Sequence, residues 1–218
     1  MYLMAKFEYS TNNFNFTPQF PYFQFTLNNT QRESSSVHEE DVVISYNATE
    51  LKNKWKSKAP HLTDAFYQKV IDISNKINCS PNDLMAIMRS ESAGSFDPGQ
   101  WNLAGARAVG LIQFTDIAAR DLNTTLDKIE KMTAVEQLDY VEKFYLNTKK
   151  YHFDENYRLT AGDLYALTYL PGLANKEVLA VQDNDPNEYY AKNKPLDENK
   201  DGKITKTDLA RIVSKFYA

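Results

Sequence analysis

Cysteine is almost absent: Cys79 is the single one in 218 residues, so no disulfide can form within the chain and no thiolate cluster can hold zinc. Its expected role is that of a small buried residue just ahead of a helix rather than a reactive thiol. Long apolar runs are missing too. No window approaches the roughly 18 to 20 apolar residues that a membrane-spanning helix needs, and Met1 to Glu8 shows no basic-then-apolar leader. No excess of one charge exists either, since 25 Lys and Arg stand against 29 Asp and Glu for a net −4. That balance argues against a nucleic-acid partner.

Glycine is scarce, seven in all, and four of the seven fall between Gly94 and Gly110. With Pro98 and Trp101 in the same stretch, it reads as loop with a short hairpin. The first forty-odd residues differ from the rest: Phe14, Phe16, Phe20, Tyr22, Phe23 and Phe25 crowd together, followed by a polar stretch from Asn28 to Glu40. Residues 1–48 are read as an aromatic and polar arm that docks on this chain or on another protein.

Beyond that arm the pattern is helical. Leu62, Ala65, Phe66, Val70, Ile73 and Ile77 recur at spacings of three and four, one face of a helix aimed at a core. Ser80 as cap, Pro81 at the first position and Asp83 at the positive end announce the next helix, through Leu84, Met85, Ile87 and Met88 to about Ser92. Further helices are expected over about Thr115–Leu122, Thr133–Lys149, Thr160–Asn175 and Thr207–Phe216. The fold class is therefore mainly α, with a small loop and hairpin region after the second helix.

Two strings carry the chemistry. The first, Met88-Arg89-Ser90-Glu91-Ser92-Ala93-Gly94-Ser95-Phe96-Asp97-Pro98, puts a carboxyl at the end of a helix, where the negative end of the dipole disfavours its ionised form. An isolated glutamate in that place is ordinarily a surface residue. The second string, Ala108-Val109-Gly110-Leu111-Ile112-Gln113-Phe114-Thr115, comes about twenty residues later. Together, in order and spacing, the two resemble the lytic transglycosylases and goose-type lysozymes over roughly Leu62 to Asn175.

That resemblance implies an α+β, lysozyme-like domain that cleaves the β-1,4 bond between N-acetylmuramic acid and N-acetylglucosamine in peptidoglycan. Glu91 would be the acid and then the base, a glycosidase role that a protonated glutamate suits. Gln113 falls where a cleft amide meets the sugar, although a buried glutamine tying the hairpin together fits equally. Ser92 would orient the acid or cap the helix. The family's late Tyr-Asn-Ala-Gly landmark is matched only in part by Thr168-Tyr169-Leu170-Pro171-Gly172, so Tyr169 is the first choice for the cleft tyrosine and Tyr165 the second. The resemblance implies a 1,6-anhydromuramyl product, made with one carboxylate. Hydrolysis by water would need a second, for which Asp97 and Asp116 are nearest in sequence, though aspartates there mostly cap turns and helices. A chitin-cleaving relative and a non-catalytic virion or assembly protein of the same fold remain as alternatives.

A further motif lies at Asp197-Glu198-Asn199-Lys200-Asp201-Gly202-Lys203-Ile204-Thr205-Lys206-Thr207-Asp208, which fits the loop of an EF-hand or dockerin-like calcium site. Side chains of Asp197, Asn199, Asp201, Thr205 and Asp208 and the Lys203 carbonyl would ligate Ca²⁺ as a structural ion. Asp208 in place of the usual glutamate should weaken calcium and favour Mg²⁺ relatively. The organisation expected is thus an arm over 1–48, a catalytic domain over 49–180 and a calcium-loop appendage over 181–218 packed on it. The expected partner is the peptidoglycan glycan strand, with no nucleic acid and no membrane span. Without a leader, delivery is expected on a phage particle or by another injection system, to which the arm could bind.

Overall fold

A computed structural model describes residues 47–102 and 107–218. The expectations for the arm, up to residue 46, fall outside the described residues. So does the middle of the glycine-rich stretch, residues 103–106.

Each of the early helices starts where a side chain can satisfy its free amides. Asn47 and Glu50 close a reciprocal capping box at the start of α1 (Ala48–Trp55), and Thr63 caps α2 (Asp64–Ile77). In α2 the buried face is Phe66, Val70, Ile73 and Ile77, as their spacing predicts. Ala65 is exposed, and Leu62 is buried in the turn ahead of the helix. Asn78 ends α2 in the left-handed conformation. Lys149, a buried lysine, then donates to the Ile77 carbonyl at 3.0 Å and to that of Glu155 at 2.9 Å, closing the negative end of the helix with a cation.

The next helix, α3 (Pro81–Glu91), begins with proline as expected, yet the Ser80 hydroxyl does not cap it. After α3 come a strand pair and three helices. β1 (Ala108–Val109) runs antiparallel to β2 (Phe114–Thr115), and α4 (Asp116–Asp121), α5 (Leu126–Glu130) and α6 (Ala134–Lys149) come after them, each capped by a threonine.

Helix α7 (Ala161–Tyr169) is buried along its whole length, the state expected of a helix that is apolar all round. It is shorter than its sequence pattern, because Pro171 opens a 3-10 turn at Pro171–Leu173. Helices α3 and α6 pack on it, and α2 packs on α3 and α6.

Residues 178–218 add β3 (Val178–Val181), α8 (Tyr189–Asn193), β4 (Lys203–Thr205) and α9 (Lys206–Ser214). β3 and β4 pair antiparallel, with Ala180 opposite Ile204. Residues 181–218 belong to the same compact unit as the helices before them, and α9 lies against both α7 and α3. The contact with α7 is close: a Cβ on Gly162 would stand 2.4 Å from the Lys206 carbonyl oxygen. Helices dominate among the described residues, and none of these helices is long and apolar enough to cross a membrane.

Beside Gly162, Asp163 joins three segments. It accepts from the Thr160 amide and hydroxyl, from the Tyr157 hydroxyl at 3.2 Å, and from Lys206 at 2.6 Å. Burial works against its ionisation, but Lys206 and Thr160 outweigh burial, and its pKa falls below the ordinary carboxylate value. A depressed folded pKa means that the unfolded chain binds the proton more readily, so this stabilisation is complete above the unfolded pKa and is lost as pH falls through the folded one. Thermal melts from pH 6 down to 3 should therefore fall more steeply for the wild type than for Asp163→Asn, which starts less stable. Parallel curves would show that Asp163 is not the responsible group.

Candidate active site

The residues Leu84 to Met88 of α3 are all buried, which leaves the end of the helix, at half-buried Glu91, on the rim of the core. Beyond Glu91 the chain reverses tightly. Ala93, Gly94 and Phe96 all have positive φ, and the Gly94 amide reaches back to the Arg89 carbonyl at 2.7 Å. Ser92 is fully buried. Its hydroxyl donates to the Met88 carbonyl at 2.7 Å and accepts from the Phe96 amide at 2.8 Å. Ser92 thus sets the direction of the chain after Glu91. Phe96 is the anchor of the turn, edge-on to Trp55 at 6.1 Å and to Phe66 at 6.4 Å.

Glu91 shares its surroundings with three tyrosines. Burial raises the phenol pKa of Tyr165 and of Tyr169, and the Glu91 charge raises each further. Tyr145 of α6 is raised by burial against the opposing pull of its 2.6 Å hydrogen bond to Thr168, and Glu91 adds to the rise. Tyr165 is fully buried and belongs to the core. Tyr169 is 9% exposed, and its hydroxyl makes no hydrogen bond among the described residues. A buried hydroxyl in that state requires a partner from solvent or from a bound molecule.

The loop after Glu91 is knitted to the hairpin that carries Gln113. The Gln100 carbonyl accepts from the Gly110 amide and from Gln113 Nε2, both at 2.9 Å, and the Asn102 amide donates to the Ala108 carbonyl at 2.8 Å. Gln113 is buried, and its Nε2 also donates to the Gly110 carbonyl at 3.2 Å. Its amide nitrogen therefore ties the hairpin, the second of the two roles its position allowed.

Gln137 of α6 holds the same region from behind. Fully buried, it accepts from the Leu111 amide at 2.8 Å and donates to the carbonyls of Pro98 and Ile129 at 2.6 and 2.9 Å. Neither Gln137 nor Tyr145 was singled out from sequence. The one signal for them was the row Gln137, Val141, Tyr145, spaced by four and buried throughout, in which an amide stands among apolar neighbours.

Both nearby aspartates have local work. Asp97 accepts from the Gly99 amide at 2.8 Å in a turn, and Asp116 pairs with Arg107 at 3.1 Å at the start of α4. A hollow of about 320 Å³, lined among others by His61, Phe66, Phe96, Pro98, Thr133 and Val135, contains none of Glu91, Gln113, Tyr165 or Tyr169.

In the 197–208 loop, the fit to a cation is good at one end and poor at the other. Gly202 makes the sharp turn with φ +81°. Asp197 points into the loop and accepts from the Asp201 and Gly202 amides and, at 2.7 Å, from the Tyr190 hydroxyl. Burial opposes ionisation of Asp197, but these donors hold its pKa below the ordinary value, while the same hydrogen bond pushes the Tyr190 phenol up to about 12. Asn199 and Asp201 face each other at 3.0 Å. Asp208, by contrast, is fully committed: one oxygen takes the Thr205 amide and hydroxyl in a capping box, and the other takes Arg211 at 2.9 Å. Among the described residues no three His, Cys, Asp or Glu side chains converge as a metal-binding group. Asp197, Asn199 and Asp201 could hold an ion, whereas Asp208 would have to leave its cap to join them.

Compared with known proteins, the chain matches no family model, no curated protein and no solved structure.

Proposed function

We propose that this chain is a lysozyme-like enzyme that cleaves the β-1,4 bond between N-acetylmuramic acid and N-acetylglucosamine in peptidoglycan. The observation that carries this reading is the neighbourhood of Glu91. A carboxyl ends α3 near enough for its charge to add to the burial that raises the Tyr169 phenol pKa, the buried Tyr169 hydroxyl has no protein partner among the described residues, and the loop after Glu91 is bound to the Gly-Leu-Ile-Gln hairpin.

In this reading Glu91 gives its proton to the glycosidic oxygen as the C1–O bond breaks. The C6 hydroxyl of the same muramic residue then attacks C1, and its proton goes to the Glu91 carboxylate, which restores the acid. The product is a 1,6-anhydromuramyl end, and one carboxylate suffices. Hydrolysis would ask Asp97 or Asp116 to position a water, and those two are occupied in a turn and an ion pair. Tyr169 is assigned to a sugar hydroxyl or N-acetyl group. Incubation of the purified chain with peptidoglycan and, in parallel, with chitin tests the substrate. Clearing of the first alone supports the reading, and clearing of chitin with equal efficiency removes the requirement for muramic acid.

The same reading places a structural Ca²⁺ at Asp197, Asn199 and Asp201. Added calcium should raise the melting temperature by about a few degrees, growing with the logarithm of its excess over Kd, and EDTA should reverse the rise. Unchanged melting in both would remove the ion from the account.

A further inference from the structure

The C-terminal tail reaches back to the helix that carries Glu91. Two residues upstream of the carboxyl, Arg89 donates through one guanidinium nitrogen to the Phe216 carbonyl at 3.1 Å and to the Tyr217 carbonyl at 3.5 Å. Its Nε is buried and makes no hydrogen bond among the described residues. At the other end of the same helix, the Tyr217 hydroxyl donates to Asp83 at 2.8 Å. Burial raises the Asp83 pKa against the pull of that bond.

These contacts have a direction. Phe216 lies just past α9, whose last carbonyls form the negative end of its dipole, and Arg89 also stands in the last turn of α3. One cation therefore complements the negative end of α3 and holds two carbonyls just beyond the end of α9. With 3.6 residues per turn, positions 89 and 91 point about 200° apart, so Arg89 can be gripped by the tail while Glu91 projects toward α7. Removing the guanidinium would leave the tail carbonyls without their donor in a partly buried place.

We propose that Arg89 is a positioning residue for Glu91. Held by the tail carbonyls, it fixes the last turn of α3 and with it the place of the carboxyl against Tyr169. The proposal rests on the reading of Glu91 as the acid, and it makes the C-terminal tail part of the active site's support. It predicts a kcat effect, because a small displacement of an acid leaves ground-state binding largely intact and weakens the proton transfer.

The test compares wild type, Arg89→Met, Arg89→Lys and Tyr217→Phe in full-length chains. It reads cleavage kinetics on soluble peptidoglycan fragments and hydrogen exchange at the amides of residues 91–94. Arg89→Met is expected to lower kcat about tenfold with KM within about twofold, to speed exchange at 91–94, and to be largely rescued by lysine. Tyr217→Phe should move both readouts in the same direction by less, which keeps the test open should Arg89→Met fail to fold. Unchanged kcat in a folded Arg89→Met, or exchange at 91–94 equal to wild type, overturns the proposal. Wild-type inactivity on peptidoglycan would remove the proposed function instead, and the exchange data alone would then decide whether the tail fixes this turn.

Discussion

Glu91→Gln is expected to reduce cleavage of peptidoglycan by about a thousandfold or more while leaving the fold intact. The amide matches the carboxyl in shape and keeps its hydrogen-bonding capacity, so α3 should end where it does now. What it loses is the transferable proton, and without general acid catalysis the leaving sugar departs as an unprotonated alkoxide. A second carboxylate in reserve would soften the loss, and the two nearest in sequence, Asp97 and Asp116, bond to the Gly99 amide and to Arg107. Release of dye-labelled fragments from purified peptidoglycan, read beside the melting temperature of each protein, checks both halves of the statement. Substantial residual activity in a folded variant would move the acid elsewhere.

Gly110→Ala should produce the largest loss of stability of any single methyl addition near the site. Gly110 has φ +91°, where an L side chain costs on the order of 1 kcal/mol or more. A Cβ there would also stand 2.4 Å from Gln137 Oε1. Gln137 cannot simply swing aside, because its amide holds Leu111, Pro98 and Ile129 at once, and each buried group left unpaired costs about 1–3 kcal/mol. The backbone cost with even one of these bonds lost sums to about 2–4 kcal/mol, a large part of the roughly 5–15 kcal/mol typical of whole domains. A fall in melting temperature on the order of 10 °C is therefore expected, with loss of activity because the hairpin and the Glu91 loop share that staple. A variant that melts with the wild type would mean that the amide has another stable arrangement.

The helices were legible in the sequence because their stripes and caps are local. The spacing from Phe66 to Ile77 marked the buried face of α2, and Pro81 marked the start of α3. The features that stayed hidden depend on distant partners. Nothing near Ser80 shows that its hydroxyl leaves the helix amides uncapped, and nothing near Val178 shows that it begins a strand, since the strand that pairs with it, at Lys203–Thr205, comes more than twenty residues later. Glu91 was singled out because two strings occur together in the sequence. Of the two roles open to Ser92, orienting the acid or capping the helix, the sequence could not choose, because the bond back to Met88 depends on how the chain turns after Glu91. Arg89 and its tail carbonyls lie 127 and 128 positions apart, a separation that no local pattern reports.

The central claim, an acid at Glu91 acting on murein, is tested most directly by mass spectrometry of the fragments that wild type and Glu91→Gln release from purified sacculi. The account predicts muropeptides ending in 1,6-anhydromuramic acid from the wild type and essentially none from the variant. Equal release by both proteins, or no release by a folded wild type, would contradict it.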